Sequence, residues 1–348
     1  MSKKVENIDV SDDDFKLKKS TDSNDKETLF KRAKAKYFTV ALTVGLGQLD
    51  SILKKSYWNT YYCAYELKRD GKKITTKYCK NRWCMVCNRI RTAVSIKKYS
   101  DEIKSWGSDS YFVTLTIPNV PADVLGETIG KMLRDFTNIV QVIKKRRNHK
   151  FIAIRKLECT YNPERNDYHP HYHCIVKGKQ VAELLKQEWL KRYLDAENYL
   201  QDIREADLGS LMEFFKYFTK VICTKSDKNN KDFLKAPIEY RRKIYINALD
   251  VIFTSMYNRR TYQNYGFKAL DIDEKSEEVI ELAENNNEIS YFKWDKEIHD
   301  WLNIDSGEVL TGFEPSEALQ QLVDDIKQDC NGTGAVLQQN RSGTTTGL

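Results

Sequence analysis

Apolar residues recur along the chain at two alternating periods, one helical and one extended. Leu125, Ile129, Met132, Phe136, Val140 and Ile143 stand four, three, four, four and three residues apart, which places them on one face of a helix. That helix runs into Lys144-Lys145-Arg146-Arg147, cations suited to a helix C-terminus. Ahead of it, Tyr111–Ile117 is a run of β-branched and aromatic residues stopped by Pro118 and Pro121, which predicts a strand. Behind it, Phe151–Tyr161 and His169–Lys177 read as two strands joined by the turn-rich stretch Asn162-Pro-Glu-Arg-Asn-Asp-Tyr168. Helices are expected from residue 31 towards 58, ending in a loop, and over Asn88–Ser105, Val181–Leu194 and Leu208–Cys223. A lysine-rich linker, Lys225–Lys235, leads to a mixed segment ending near Phe267. Residues 1–30 are polar and expected to be poorly ordered, and the Gly/Thr/Gln-rich end from Cys330 reads as unstructured.

Between the first helix and Asn88 the pattern gives way to cysteines. Cys79-x4-Cys84-x2-Cys87, with Cys63 upstream, offers four soft ligands within 25 residues. Zinc takes four thiolates in a tetrahedron, and a Cys-x2-Cys turn supplies two of them. Lys77, Lys80, Arg82, Arg89 and Arg91 flank the cluster and would offset the charge of a tetrathiolate. The plainer alternative is four small buried side chains. A catalytic zinc deaminase is disfavoured, because no His-x-Glu precedes the pair.

Three of the five histidines fall at His169-Pro-His171-Tyr-His173. Alternate residues of a strand share a face, so all three imidazoles point the same way. Glu158, on the preceding strand, shares its face with Ile152, Ile154 and Thr160. A hairpin register placing Glu158 beside His171 and His173 would give a two-imidazole, one-carboxylate site for a divalent ion. Further on, Leu208, Leu211, Met212, Phe215, Phe218 and Ile222 form an apolar stripe, while Glu213, Lys216, Tyr217 and Lys220 cluster on the other side of the same helix. A phenol between a carboxylate and ammonium groups can be deprotonated and aimed at a phosphate.

Charge sharpens this picture. The chain of 348 residues carries +7 overall. From Asp271 onward, 18 acidic residues face 5 basic ones, a net of −13, so the first 270 residues carry +20. A basic body suits a polyanion. No apolar run reaches the roughly 18 residues of a membrane span, and the N-terminus lacks a signal-peptide core, so a cytoplasmic protein whose eight cysteines remain thiols or bind metal is expected. No Gly-x4-Gly-Lys-Ser/Thr occurs, hence no helicase motor of its own.

Together these motifs resemble the HUH endonuclease superfamily, in particular the rolling-circle replication initiators of Gram-positive-type plasmids, in the one-tyrosine branch with a cysteine zinc cluster. Phe112-Val-Thr-Leu-Thr116 resembles the family's first motif, His169-Pro-His-Tyr-His-Cys-Ile175 its metal motif, and Glu213-Phe-Phe-Lys-Tyr217-Phe-Thr-Lys220 its nucleophile motif. Asn258-Arg-Arg-Thr-Tyr-Gln-Asn-Tyr-Gly266 also resembles this branch, and Met85 stands where relatives often carry proline. The resemblance covers roughly residues 60–270. It implies an α+β fold with a central antiparallel sheet flanked by helices and an N-terminal zinc module. The expected division is 1–58 polar and helical, 59–105 a four-cysteine module, 106–270 the HUH endonuclease domain and 271–348 an acidic region with a disordered tail.

The resemblance further implies Mg²⁺ or Mn²⁺ held by His171 and His173 with Glu158, His169 contributing less, and structural Zn²⁺ on Cys63, Cys79, Cys84 and Cys87. Tyr217 would attack the scissile phosphate, Lys216 and Lys220 would hold its oxygens, and Glu213 would activate a water for the terminating cleavage. Lys144, Lys145, Arg146, Arg147, Arg259 and Arg260 are candidate DNA contacts. The partners expected are the plasmid double-strand origin, single-stranded or in a hairpin at the nick site, and a host helicase with other replication proteins. An HUH transposase or relaxase, a zinc-dependent DNA-binding protein without catalysis, and a non-haem iron oxygenase are the competing readings.

Overall fold

The computed structural model describes residues 25–215, 223–224, 242–272 and 280–339. Its elements begin with α1 (Asp25–Gln48), α2 (Lys54–Tyr61), β1 (Glu66–Thr76), α3 (Met85–Ser105) and β2 (Ser110–Thr116). They continue with α4 (Ala122–Lys145), β3 (Ala153–Asn162), β4 (Asp167–Lys177), α5 (Lys179–Leu190), β5 (Asp202–Glu205) and α6 (Leu208–Phe215). Last come β6 (Cys223–Thr224), β7 (Arg242–Lys243), α7 (Ile246–Met256), β8 (Tyr262–Tyr265), β9 (Ile280–Asp295), β10 (Asp300–Asn303) and α8 (Glu317–Gln339). The chain divides into two compact units. One holds the described residues of Arg91–Val221 and Val251–Asp273, the other those of Lys18–Ile90, Ile222–Asp250 and Glu274–Leu348.

The first unit is built on an antiparallel sheet of order β5-β2-β4-β3-β8. Its middle strand, β4, tolerates Pro170 for a local reason. The Tyr168 amide and carbonyl bond Val120 on the β2 side, so by alternation Pro170 also faces that side. The β2 ladder ends at Thr116 opposite His171, and a residue without an N–H breaks no bond there. One face of the sheet is covered by α4 and α5. The α4 stripe read from the spacing is buried throughout, with Leu125, Ile129, Met132, Phe136 and Ile143 at 0% exposure. Phe136 and Trp189 meet Tyr172 edge-on, at 5.1 and 5.6 Å between centroids. Arg155 lies buried on this side, over the rings of Phe136 and Tyr172. On the opposite face Phe112, Ile154 and Ile175 pack against Ile103, Trp106, Phe214 and Phe215. Gly266 closes β8 at φ +76°, where a Cβ would stand 2.5 Å from the Phe151 carbonyl oxygen.

Two expected helices end earlier than their spacing predicts. Helix α5 stops at Leu190, not Leu194, because the Arg192 and Tyr193 amides both donate to the Trp189 carbonyl and close a turn. The helix expected over Leu208–Cys223 is described to Phe215, and Cys223 instead pairs with Lys243 in the β6–β7 ladder.

The second unit carries an antiparallel sheet of order β1-β9-β10. Leu67 stands opposite Phe292 and Trp294 opposite Trp301, all buried, with the indoles 4.9 Å apart. The acidic segment beyond Asp271, which carries no recognisable motif, thus supplies two of the three strands. Helix α8 continues to Gln339, so residues 330–339 are helical where an unstructured end was expected. Its anchor is the apolar stripe Leu319, Leu322, Val323 and Ile326, buried in this unit. The Lys225–Lys235 linker, residues 1–24 and residues 340–348 lie outside the described residues. Among the described residues no helix is long and apolar enough to cross a membrane.

Candidate functional site

The β3–β4 register brings the carboxylate and imidazoles together. Glu158 stands opposite His171, Lys156 opposite His173 and Thr160 opposite His169, and directly opposed residues share a face. Glu158 Oε2 lies 3.5 Å from His171 Nε2 and 3.6 Å from His173 Nε2. Glu158, His171 and His173 each offer a ligand atom within 4.8 Å of the others. His169 is one pair further along. Its ring is 5.2 Å from that of His171, and it stands outside the group of three.

Both imidazoles are aimed by their other nitrogen. His171 Nδ1 lies 3.0 Å from the His169 carbonyl oxygen. A carbonyl only accepts, so Nδ1 is the donor, which leaves Nε2 as the ring's ligand atom for an ion. His173 Nδ1 meets the Thr114 hydroxyl at 3.2 Å, Thr114 being its partner on β2. The Lys156 ammonium contacts Glu158 Oε1 at 2.5 Å, both side chains being largely buried. One carboxylate oxygen thus faces the ammonium and the other the imidazoles. Two imidazole nitrogens and one carboxylate oxygen suit a divalent cation with open positions, and the donor set fits one.

Lys156 and Thr114 were not singled out in the sequence. Thr114 stands in the Phe112–Thr116 strand motif, but only pairing shows which of its residues meets a histidine. Glu213 lies on α6 and its side chain is not described; Lys216, Tyr217 and Lys220 lie outside the described residues. The helix leading to them is placed nonetheless. Asp207 caps α6, its Oδ1 accepting from the Ser210 amide at 2.6 Å and the Ser210 hydroxyl at 2.7 Å. Those bonds from Ser210 hold the Asp207 carboxyl below the usual carboxylate range. Phe214 and Phe215 pack with Phe112, Ile154 and Ile175, the row next to Thr114, His173 and Lys156 on the same sheet face. Phe214 also meets Tyr262 at 5.7 Å, and Tyr262 is the β8 partner of Lys156.

The basic candidates are scattered. Lys144, Lys145, Arg146 and Arg147 are exposed at the end of α4, the helix covering the sheet face away from Glu158. Arg147 pairs with Glu188 of α5 at 3.0 Å. Arg259 donates to the Gly126 carbonyl, over Gly130 of α4, while the Arg260 carbonyl accepts from Arg155 at 3.1 Å.

In the second unit the four cysteines converge. Cys63 follows α2, Cys84 immediately precedes α3 and Cys87 lies in its first turn, where aligned amides favour thiolates. Cys87 Sγ is 3.5 Å from Cys63 Sγ and 3.6 Å from Cys79 Sγ. Four sulfurs held about 2.3 Å from one zinc would stand about 3.8 Å apart, so the cluster fits that ion with small adjustment. The Cys79 and Lys80 amides donate to Cys63 and Cys87 sulfurs at 3.4 and 3.2 Å, bonds that a thiolate strengthens. The crowding holds the Cys63 thiol high, through its bond to Cys79 first, and lowers Cys79 through the same bond. The sequence flagged lysines beside the cysteines, yet the buried cation comes from α1. Lys36 is fully buried and donates to the Cys63 carbonyl at 2.7 Å and to the Tyr61 carbonyl. Burial brings its pKa down to about 8, against the opposing pull of Cys63, Cys84 and Cys79.

Fold and site together define an α+β protein whose antiparallel sheet presents a carboxylate and two aimed imidazoles, with a separate four-cysteine cluster. The chain belongs to the Rep_1 family of replication proteins, whose model matches residues 71–302. It is 26% identical to a Staphylococcus aureus protein called "Protein rep" over 225 residues, 59% of this chain and 94% of that one. Against a Streptococcus pneumoniae "Protein rep" the identity is 33% over 108 residues, 29% of this chain and 33% of the relative. A Bacillus amyloliquefaciens "Protein rep" is 28% identical over 197 residues, 45% and 58% of the two chains. No solved structure matches. Membership in this family agrees with the resemblance to plasmid replication initiators drawn from the motifs.

Proposed function

We propose that this replication protein starts rolling-circle replication of a plasmid by nicking single-stranded origin DNA and joining itself to the 5′ end. One observation carries the reading: in a Rep_1 chain, the helix leading to Tyr217 packs on the sheet face that holds Glu158, His171 and His173. The phenolate of Tyr217 attacks phosphorus, a P–O–Tyr bond forms, the P–O3′ bond breaks, and the departing oxygen takes a proton to become the 3′-OH primer. The exchange of one phosphodiester for another needs no ATP. Lys216 and Lys220 hold the phosphate oxygens, and Glu213 later takes a proton from the water of the terminating cleavage. Glu158, His171 and His173 would hold Mg²⁺ or Mn²⁺, which when bound stabilises negative charge building on the phosphate. Cys63, Cys79, Cys84 and Cys87 would hold structural zinc, with Lys36 beside it as a buried counter-charge.

Family membership favours replication over a transposase or relaxase role, and over the oxygenase reading of the same triad. The test is to incubate the protein with single-stranded origin DNA and Mn²⁺ and look for a covalent adduct on a denaturing gel. Wild type should form it and Tyr217→Phe should not, while origin affinity, set mainly by Lys and Arg contacts to phosphate, stays nearly unchanged. A full adduct yield from Tyr217→Phe would move the nucleophile elsewhere.

A further inference from the structure

The second unit carries a group of aromatic rings that the nicking reading does not use. Trp58, Tyr61 and Tyr62 of α2 and its end, with Tyr65 just before β1, lie in sequence around Cys63. Their centroids are 6.3 Å apart for Trp58–Tyr61, 5.3 Å for Tyr61–Tyr62, 6.0 Å for Tyr61–Tyr65 and 6.1 Å for Tyr62–Tyr65. Large apolar rings normally bury themselves, yet Tyr62 is 64% exposed, Trp58 40% and Tyr291 49%. The rings are held in place from the inside. Lys36 lies 5.7 and 5.6 Å from the Tyr61 and Tyr65 centroids, and its ammonium bonds the Tyr61 and Cys63 carbonyls. Gly47 makes room for Trp58, since a Cβ there would stand 2.7 Å from the indole.

Cations line the same surface. Lys293 is exposed and lies 5.7 Å over Tyr65. On β9 it shares a face with Tyr291, whose partner on β1 is Lys68, a lysine that also pairs with Asp70 at 3.0 Å. The segment 54–82, which supplies Trp58, Tyr62, Tyr65 and Lys68, holds nine basic residues against two acidic ones, one of which, Glu66, stands opposite Lys293. Exposed π-faces spaced along a basic surface are what stacked bases and a phosphate backbone require. An apolar protein partner would not call for the lysines, and duplex DNA keeps its base faces inside the helix.

We propose that Trp58, Tyr62, Tyr65 and Tyr291, with Lys68 and Lys293, form a binding surface for single-stranded DNA without sequence preference, separate from the nicking site. It rests on the proposed function only in taking DNA as the nucleic acid. Such a surface would keep hold of displaced strand whatever its sequence.

The full-length protein is titrated into dye-labelled oligo(dT), which lacks an origin, and binding is read by fluorescence anisotropy. Y62A combined with Y291A should weaken affinity about 5-fold or more, and Y62F should retain it, because stacking needs the ring and not the hydroxyl. K293A should lower the dependence of log K on log salt by about 0.7, one phosphate contact to a single strand. Zinc content and circular dichroism of the variants report their folding, and adduct formation on a short origin oligonucleotide should persist in all of them. Unchanged oligo(dT) affinity in folded Y62A/Y291A would overturn the proposal, as would tighter binding of wild type to duplex of equal length. Loss of the adduct in wild type would refute the nicking reading alone, because oligo(dT) affinity is measured without it.

Discussion

The Lys156–Glu158 contact offers a quantitative test of how the site is held before any ion binds. The ammonium and Glu158 Oε1 are 2.5 Å apart, and the side chains are 7% and 14% exposed. At an effective dielectric of about 20 the gross attraction is roughly 6–7 kcal/mol, most of it offset by the cost of taking both charges out of water. Removing one partner strands the other in the sheet face and should cost about 3–5 kcal/mol. Removing both leaves no stranded charge. Lys156→Met and Glu158→Gln should therefore each destabilise the sheet strongly, and the double variant should lose about 2 kcal/mol or less, a coupling of about 4 kcal/mol or more that exceeds the roughly 0.5–3 kcal/mol usual for contacting pairs. Hydrogen exchange of the β3 and β4 amides, measured in chelator, reads this locally. A loss of about 3 kcal/mol accelerates exchange more than a hundredfold, since 1.4 kcal/mol is tenfold. Single effects that add to the double within about 0.5 kcal/mol would show that the two charges do not support each other.

The remaining predictions concern the ligands and the helix beside them. His171→Ala or His173→Ala should reduce nicking at least about 100-fold, and His169→Ala should do less because it stands outside the ligand group; equal losses in a nicking assay would make His169 a ligand. Cys84→Ser or Cys87→Ser should release one zinc and destabilise the second unit, and native mass spectrometry that finds no zinc in the wild type refutes the structural-zinc reading. Asp207→Ala should weaken α6 by about 1 kcal/mol and slow adduct formation through the misplaced helix. Because the Asp207 carboxyl is held low by Ser210, its contribution is complete above the ordinary carboxylate range and fades as pH falls through the lowered value. Thermal unfolding of wild type and variant should therefore converge in acid, and a difference that persists there would assign the effect elsewhere.

Local periodicity made much of the first unit legible. The spacing of Leu125 through Ile143 specifies α4, and the alternation of His169, His171 and His173 puts three imidazoles on one face whatever the sheet around them. The four cysteines likewise announce themselves by spacing. What the sequence left open was register, because sliding a hairpin by one residue turns every side chain to the other face. Pairing alone decides that Glu158 meets His171, that Thr114 meets His173, and that His169 falls one step outside. Contacts across long stretches of chain were equally hidden. Lys36 reaches the Cys63 carbonyl across 27 residues, from a helix in which nothing marks one lysine as buried. Strand β9 joins β1 from more than 200 residues away, although its acidic and asparagine-rich stretch has no clean alternation to read as a strand. Burial of Phe292, Trp294 and Trp301 against their partners makes a sheet of it, and that burial exists only once both segments have folded together.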